Sequence, residues 1–169
     1  MKNFIIDVDG CLTTGQFLYS AEGKVMKVFG SDDADALSIL KQKMNIEMIS
    51  GDKRGFPITK KRIDDMGFSV SLVSTFERVE WIKKKYKLKE TIYMGDGIYD
   101  VLVFEKVAYS IAPANAFYVA KQKANFETKT KGGEGATAEA CLHILEKFFE
   151  PFDLSKLQIK SSGAWKKSK

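Results

Sequence analysis

Five short runs dominated by apolar and β-branched residues punctuate the chain: Phe4-Ile5-Ile6, Ile46 to Ile49, Phe68 to Val73, Thr91 to Met94 and Val107 to Ile111. Between them, Ala34 to Lys43, Ile58 to Met66, Arg78 to Tyr86 and Val101 to Lys106 carry apolar residues three and four apart. Short apolar runs predict buried strands and the three-to-four spacing predicts helices, so strand and helix alternate. That alternation predicts a doubly wound α/β fold, a parallel sheet with helices on both faces. Sheets of this kind hold their sites at the carboxyl ends of the strands.

One segment breaks the rhythm. Gln16 to Phe29 predicts two short strands around Ala21-Glu22-Gly23, an antiparallel hairpin inserted after the first strand. Its Phe17, Leu18, Tyr19, Val25, Met26, Val28 and Phe29 are many apolar residues for a solvated excursion, and they need a surface to pack on. Further on, Gly132-Gly133-Glu134-Gly135 leads into a helix from about Ala136 to Phe149, which Pro151 closes. Residues 1–150 are therefore expected to form one domain and 151–169 a C-terminal tail, partly flexible, in which periodicity is lost from about Leu157.

Composition narrows the class. A chain of 169 residues, 44% hydrophobic and 29% charged, is that of a globular protein with one core. The apolar run between Met1 and Gly10 is short and interrupted by two aspartates, so neither a signal peptide nor a membrane span is expected there, and a cytoplasmic location follows as the default. Cys11 and Cys141 form no Cys-x-x-Cys or Cys/His cluster and are taken as bystander thiols. The net charge of +5 concentrates in Lys83, Lys84, Lys85, Lys87 and Lys89 and in Lys166, Lys167 and Lys169, a solvated face and a loose end. It identifies no nucleic-acid or membrane partner. The single histidine, His143, falls within an apolar-periodic helix and is given no role.

The candidate chemistry lies where strands end. Asp7 and Asp9 stand two apart at the close of the first run, so a period-two backbone can turn both toward one ligand before Gly10. An Asp-Gly pair alone is a common turn. Yet Met94-Gly95-Asp96-Gly97-Ile98-Tyr99-Asp100 repeats the pattern after the fourth run, and Ser50-Gly51 follows the second with a hydroxyl in place of a carboxylate. Acids, a hydroxyl and glycines gathered at strand ends make a hard-oxygen cage suited to Mg²⁺ and an adjacent phosphate.

Asp7-Val8-Asp9-Gly10-Cys11-Leu12-Thr13, Ile49-Ser50-Gly51 and Gly95-Asp96-Gly97-Ile98-Tyr99-Asp100 resemble, in order, the first, second and fourth motifs of the haloacid dehalogenase superfamily. The resemblance implies a Rossmann-like fold and a Mg²⁺-dependent phosphatase. Asp7 is the implied nucleophile and Asp9 the acid/base partner. Mg²⁺ is held by Asp7, the backbone carbonyl of Asp9 and Asp96, with Asp100 standing behind them. Ser50 and Gly51 are implied to bind the transferring phosphoryl group. The third motif departs from the pattern. Where the superfamily places a lysine at the start of the helix before the fourth strand, this chain reads Val73-Ser74-Thr75-Phe76-Glu77-Arg78, and Arg78 is the candidate. Lys83 and Lys84 lie a turn or more further on.

Only a hairpin and one helix fill the interval between the first two motifs, which implies a member with no cap domain. Chain length, the hairpin, and Lys131-Gly132-Gly133-Glu134-Gly135-Ala136 together resemble the 3-deoxy-D-manno-octulosonate 8-phosphate phosphatase group and related phosphatases of nine-carbon sugar acids. The implied substrate is a small phosphorylated sugar acid, and the implied assembly is a homotetramer in which a neighbour supplies the missing wall. Asp52, directly after Ser50-Gly51, occupies a position where the eight-carbon enzymes usually carry arginine, and it tilts the expectation toward a nine-carbon or amino-substituted substrate. Two alternatives stay open: a catalytically weak or silent phosphatase-like assembly domain, and a nucleic-acid end phosphatase. A phospho-receiver domain is excluded, because Ser69 to Ser74 offers no carboxylate at the end of the third strand.

Overall fold

The computed structural model describes residues 1–153 and Ser155. Of the tail expected over 151–169, Leu154 and residues 156–169 lie outside the described residues.

The chain opens with β1 (Asn3–Asp7), followed by the hairpin β2 (Thr13–Ser20) and β3 (Gly23–Phe29). Then come α1 (Asp32–Leu40), β4 (Asn45–Ser50), α2 (Phe56–Asp65), β5 (Val70–Leu72) and α3 (Arg78–Lys85). The second half adds β6 (Thr91–Met94), α4 (Val101–Phe104), β7 (Tyr109–Ala112), α5 (Tyr118–Lys123), β8 (Phe126–Glu127) and α6 (Ala136–Phe148). Six strands form one sheet in the order β5-β4-β1-β6-β7-β8, with every described pairing parallel. The expected doubly wound sheet is present, and β2 and β3 stand apart from it as a two-stranded sheet.

β1 lies at the centre and is buried along its whole length, so its alternating side chains feed two cores. Phe4 and Ile6 pack with Leu37 and Leu40 of α1, Ile63 of α2, and Ile144 and Leu145 of α6. On the opposite face Ile5 packs with Ile49, Ile82 of α3, Tyr93, Val103 of α4 and Ala120 of α5. Each fully buried Ile, Leu or Phe contributes about 1.5–3 kcal/mol, so the twin cores hold β1, and with it Asp7, rigidly in place. α5 and β8 were not foreseen. β8 is two residues long and exists through its pairing with β7, Ile111 opposite Phe126 and Ala112 opposite Glu127, a tertiary cause that leaves no local pattern.

Candidate active site

Asp7 ends β1, and the loop Val8–Leu12 carries Asp9 past it. The turn depends on Gly10, whose φ of 89° is left-handed and whose missing Cβ leaves room for the Asp96 carboxylate. Thr13 Oγ1 accepts hydrogen bonds from the amides of Gly10 (3.1 Å) and Gly15 (3.2 Å). Asn115, in the loop after β7, donates to the Gly10 carbonyl at 3.1 Å and accepts from the Gly132 amide at 2.7 Å. Gly132 packs so closely on Gly10 and Thr13 that any side chain there would run into their carbonyls. The glycine-rich turn before α6 is thus a backbone buttress for the Asp7–Asp9 loop.

Arg78 begins α3 and is buried beneath the loop. Its Nη1 lies 2.7 Å from Asp7 Oδ2, donates to Asp100 Oδ1, and donates to the Tyr93 hydroxyl at 3.1 Å. Tyr93 in turn donates to Asp100 Oδ1 at 2.6 Å, and the Gly97 amide donates to Asp100 Oδ2 at 2.8 Å. Burial alone lowers the pKa of Arg78, but Tyr93, Asp7 and Asp100 outweigh it and raise the pKa, so the guanidinium stays charged. Lys83 and Lys84 are exposed on the far part of α3.

Asp7, Asp96 and Asp100 each bring a carboxylate oxygen within 4.8 Å of the others. Burial, joined by the neighbouring carboxylates, pushes Asp7 well above the usual carboxylate range even though Arg78 pulls the other way. Burial and then Asp100 raise Asp96 to about 7. Carboxylates crowded in this way call for a cation. Asp100 spends both oxygens on Arg78, Tyr93 and Gly97. Asp7 Oδ1, by contrast, is buried without a hydrogen-bond partner among the described residues. That oxygen and the Asp96 carboxylate fit a hard divalent ion, with Asp100 behind them.

On the other side of the loop, Asp9 Oδ1 lies 2.6 Å from Lys27 Nζ and Asp9 Oδ2 accepts from Ser50 Oγ at 2.9 Å. Ser50, at the end of β4, also accepts the Asp52 amide at 3.1 Å. Asp52 accepts from Lys24, contacts Lys27 at 2.9 Å and accepts the Gly55 amide at 3.1 Å. Its partial burial opposes ionisation, but Lys24, Lys27 and Gly55 outweigh that and draw Asp52 down to about 2. Two clefts flank the acids. One of about 530 Å³ is lined by Asp96, Ile98, Tyr99, Asn115 and Phe117, and one of about 400 Å³ by Gly51, Lys53, Leu72, Thr75 and Phe76. The exposed rings of Phe76 and Tyr99, 4.8 Å apart, stand between them.

The structure therefore gathers Asp7, Asp9, Ser50, Gly51, Arg78, Asp96 and Asp100 at the carboxyl ends of β1, β4 and β6 and the start of α3, and sets Asp52 against the hairpin lysines. Sequence reasoning missed Lys24, Lys27, Tyr93 and Asn115. Tyr93, the penultimate residue of the fourth apolar run, read as core. Asn115 lies in a loop without pattern. His143 meets Tyr109 at 2.9 Å and stacks on Phe126, away from these residues.

The family model for haloacid dehalogenase-like hydrolases matches residues 12–139. The 3-deoxy-D-manno-octulosonate 8-phosphate phosphatase of Haemophilus influenzae is 31% identical over 152 residues, 86% of this chain and 83% of that one. The Yersinia pestis enzyme of the same name is 28% identical over 153 residues, covering 86% and 80%. Among solved structures, the cobalt-bound form of the Haemophilus influenzae phosphatase superposes with a TM-score of 0.77 at 30% identity, covering 86% of this chain and 88% of that one. The Moraxella catarrhalis phosphatase, in complex with a magnesium ion, a phosphate ion and a KDO molecule, superposes with a TM-score of 0.75 at 28% identity, covering 86% of each chain.

Proposed function

We propose, starting from the fact that this chain belongs to the haloacid dehalogenase-like hydrolases and is, like the relatives it matches, a phosphatase, that it hydrolyses a phosphorylated 3-deoxy-2-keto sugar acid of eight or nine carbons. The observation that carries this is the constellation at the strand ends: Asp7 with one oxygen held by buried Arg78 and the other without a partner among the described residues, in a cluster with Asp96 and Asp100. The names of the relatives favour the eight-carbon member of the class. Asp52 gives the nine-carbon member less support than its position in the sequence implied, because Lys24 and Lys27 already match its charge.

In this reading Asp7 attacks phosphorus directly. A carboxylate needs no base to become a nucleophile, and the resulting acyl phosphate is open to water. Asp9 protonates the departing sugar oxygen and then takes a proton from the attacking water. Ser50, the Gly51 backbone and Arg78 bind and orient the phosphoryl group. Asp7, the Asp9 carbonyl and Asp96 would hold Mg²⁺, which when bound would supply neutralisation of charge on the phosphoryl oxygens. Retention of Asp7, Asp9 and Asp96 favours an active enzyme over a silent assembly domain.

The active unit is a homotetramer. β2 and β3 form a sheet of their own, docked on the domain by one face, and Leu18, Tyr19, Val25, Met26 and Val28 lie exposed along it. Association buries them and gives a site with no cap of its own a wall. This reading keeps the cytoplasm as the default location, with Cys11 and Cys141 as free, buried thiols. Separately, no helix among the described residues is long and apolar enough to cross a membrane. A phosphate-release screen with Mg²⁺, setting eight- and nine-carbon 3-deoxy-2-keto acid phosphates against hexose phosphates, nucleotides and 5′-phosphorylated oligonucleotides, tests the substrate class. Faster turnover of a hexose phosphate, nucleotide or oligonucleotide than of any sugar acid would overturn it.

A further inference from the structure

Lys27 is a charged residue that the proposed chemistry leaves unexplained. Its neighbours in β3, Met26 and Val28, are exposed, yet its own side chain is completely buried. An ammonium is costly to bury unless its charge and its donors are matched. Here they are. The group has three N–H donors, and three oxygens stand around it: Asp9 Oδ1 at 2.6 Å, Thr59 Oγ1 at 2.8 Å and Asp52 Oδ2 at 2.9 Å. A lysine that recruits a substrate anion keeps a donor free, and this one keeps none. Its partners come from the Asp7–Asp9 loop, α2 and the β4–α2 loop, so one atom of the hairpin ties three segments of the domain together.

The consequence falls on Asp9. Lys27 holds one carboxylate oxygen and Ser50 the other, which fixes the plane of the group as well as its position. Without Lys27, Asp9 keeps a single side-chain bond and can swing about it. With Lys27 on Oδ1, the proton that Asp9 delivers sits on Oδ2, passes to the leaving oxygen, and is regained from the attacking water, a transfer that depends on such orientation. Resting on the phosphatase reading above, we propose that Lys27 is a positioning residue for hydrolysis: it aims Asp9 at the leaving oxygen and thereby couples the hairpin to the protonation step. Lys27 acts through Asp9 and is not itself in contact with the reacting atoms.

The test uses the Mg²⁺-loaded full-length enzyme with two substrates, a 3-deoxy-2-keto sugar-acid phosphate, whose alkoxide needs protonation to leave, and p-nitrophenyl phosphate, whose phenolate does not. Lys27→Met is expected to lower kcat on the sugar acid about 10- to 100-fold with KM little changed, and to lower the aryl rate far less. Lys27→Arg, which keeps the charge but moves it, should fall between. In an Asp9→Asn background Lys27→Met should have no further effect, because the two act as one unit. Equal losses on both substrates, or losses that add in the double variant, would overturn the proposal. Should circular dichroism show Lys27→Met unfolded, Lys27→Arg decides: a wild-type ratio of sugar-acid to aryl rates refutes the coupling, and a lowered ratio supports it. A wild-type enzyme that hydrolyses neither substrate would instead sink the phosphatase reading, and this proposal with it.

Discussion

The guanidinium of Arg78 lies 2.7 Å from the Asp7 carboxylate and hydrogen-bonds Asp100 through the same nitrogen, with Tyr93 closing the group from behind. A buried cation between two buried acids offsets their charge, and Asp7 Oδ1 keeps no hydrogen-bond partner among the described residues. A single nitrogen, Nη1, carries all three contacts; it sits on a planar guanidinium where lysine would offer a compact point charge, so the two are not interchangeable.

Arg78→Ala should therefore lower turnover by about 100-fold or more. It should also destabilise the fold by about 3 kcal/mol or more, because Asp7 and Asp100 lose their counter-charge while staying buried. Arg78→Lys should recover part of both. Lys83→Ala and Lys84→Ala, on the exposed part of α3, should change neither. Steady-state rates beside urea melts check this, and a neutral arginine change with a severe lysine change would show that the third motif lies elsewhere.

Asp7→Asn should abolish turnover, since an amide of nearly the same shape is a poor nucleophile. The fold should survive it. Removing one of several crowded carboxylates relieves repulsion, so the metal-free variant should melt no lower than the parent near neutral pH. Rates near wild type would rule out an aspartyl-phosphate route. A large fall in melting temperature would mean that the Asp7–Arg78 pair holds the fold more than the repulsion strains it.

The acids of this site were legible because each follows an apolar run, where a carboxylate has no packing reason to be. Arg78 was legible only through the resemblance, as the basic residue at the helix start where the superfamily's third motif carries a lysine. Lys27 was not. In a ribbon with alternating faces, a lysine between Met26 and Val28 reads as the solvated side, and only the docking of the hairpin on Thr59 and Asp52 reverses which face is buried. The ion pairs of Asp52 were hidden for the same reason, since its partners are 28 and 25 residues upstream and arrive by tertiary contact. β8 follows the same rule: its cause is its pairing with β7, not its own sequence.

Metal binding should depend on pH in a direction the site dictates. Asp96 titrates at about 7 in the folded chain against an ordinary 3.8, and Asp7 is raised as well. The metal-free folded state thus holds protons that the unfolded chain releases, and its stability falls as pH rises from about 4 to about 7. Mg²⁺ replaces those protons, so the rise in melting temperature that it causes should grow between about pH 5 and about pH 8. Asp33, buried against the Ala138 amide and raised to about 6, adds a pH dependence of the same sign that Mg²⁺ should not touch. Melting curves with EDTA and with Mg²⁺ separate the two: Asp33→Asn should remove only its own share of the pH dependence in EDTA, leaving that of Asp7 and Asp96, and Asp96→Asn should remove the Mg²⁺ shift. A Mg²⁺ shift equal at both pH values would contradict the assignment of the acids.

The hairpin carries the last prediction. Leu18 and Val28 lie exposed on the β2–β3 ribbon, whereas Phe17 is already covered on one face by Lys24, 3.3 Å above its ring. Leu18→Glu with Val28→Glu therefore charges the outward face and leaves the Lys24–Asp52 and Lys27–Asp9 contacts intact. If the ribbons meet at the centre of a tetramer, this pair should dissociate it, because desolvating a carboxylate in an apolar interface is strongly unfavourable. The monomer should retain aryl phosphate hydrolysis, since Asp7, Asp9, Arg78 and Asp96 come from one chain. Its KM for the sugar-acid phosphate should rise as the borrowed wall is lost. That signature differs from the one expected of Lys27, which acts on kcat and not on KM, so the two roles of the hairpin can be told apart in one set of assays. Light scattering that finds the parent monomeric, or a KM that stays put while the assembly falls apart, would show that the exposed ribbon does not build the substrate's wall.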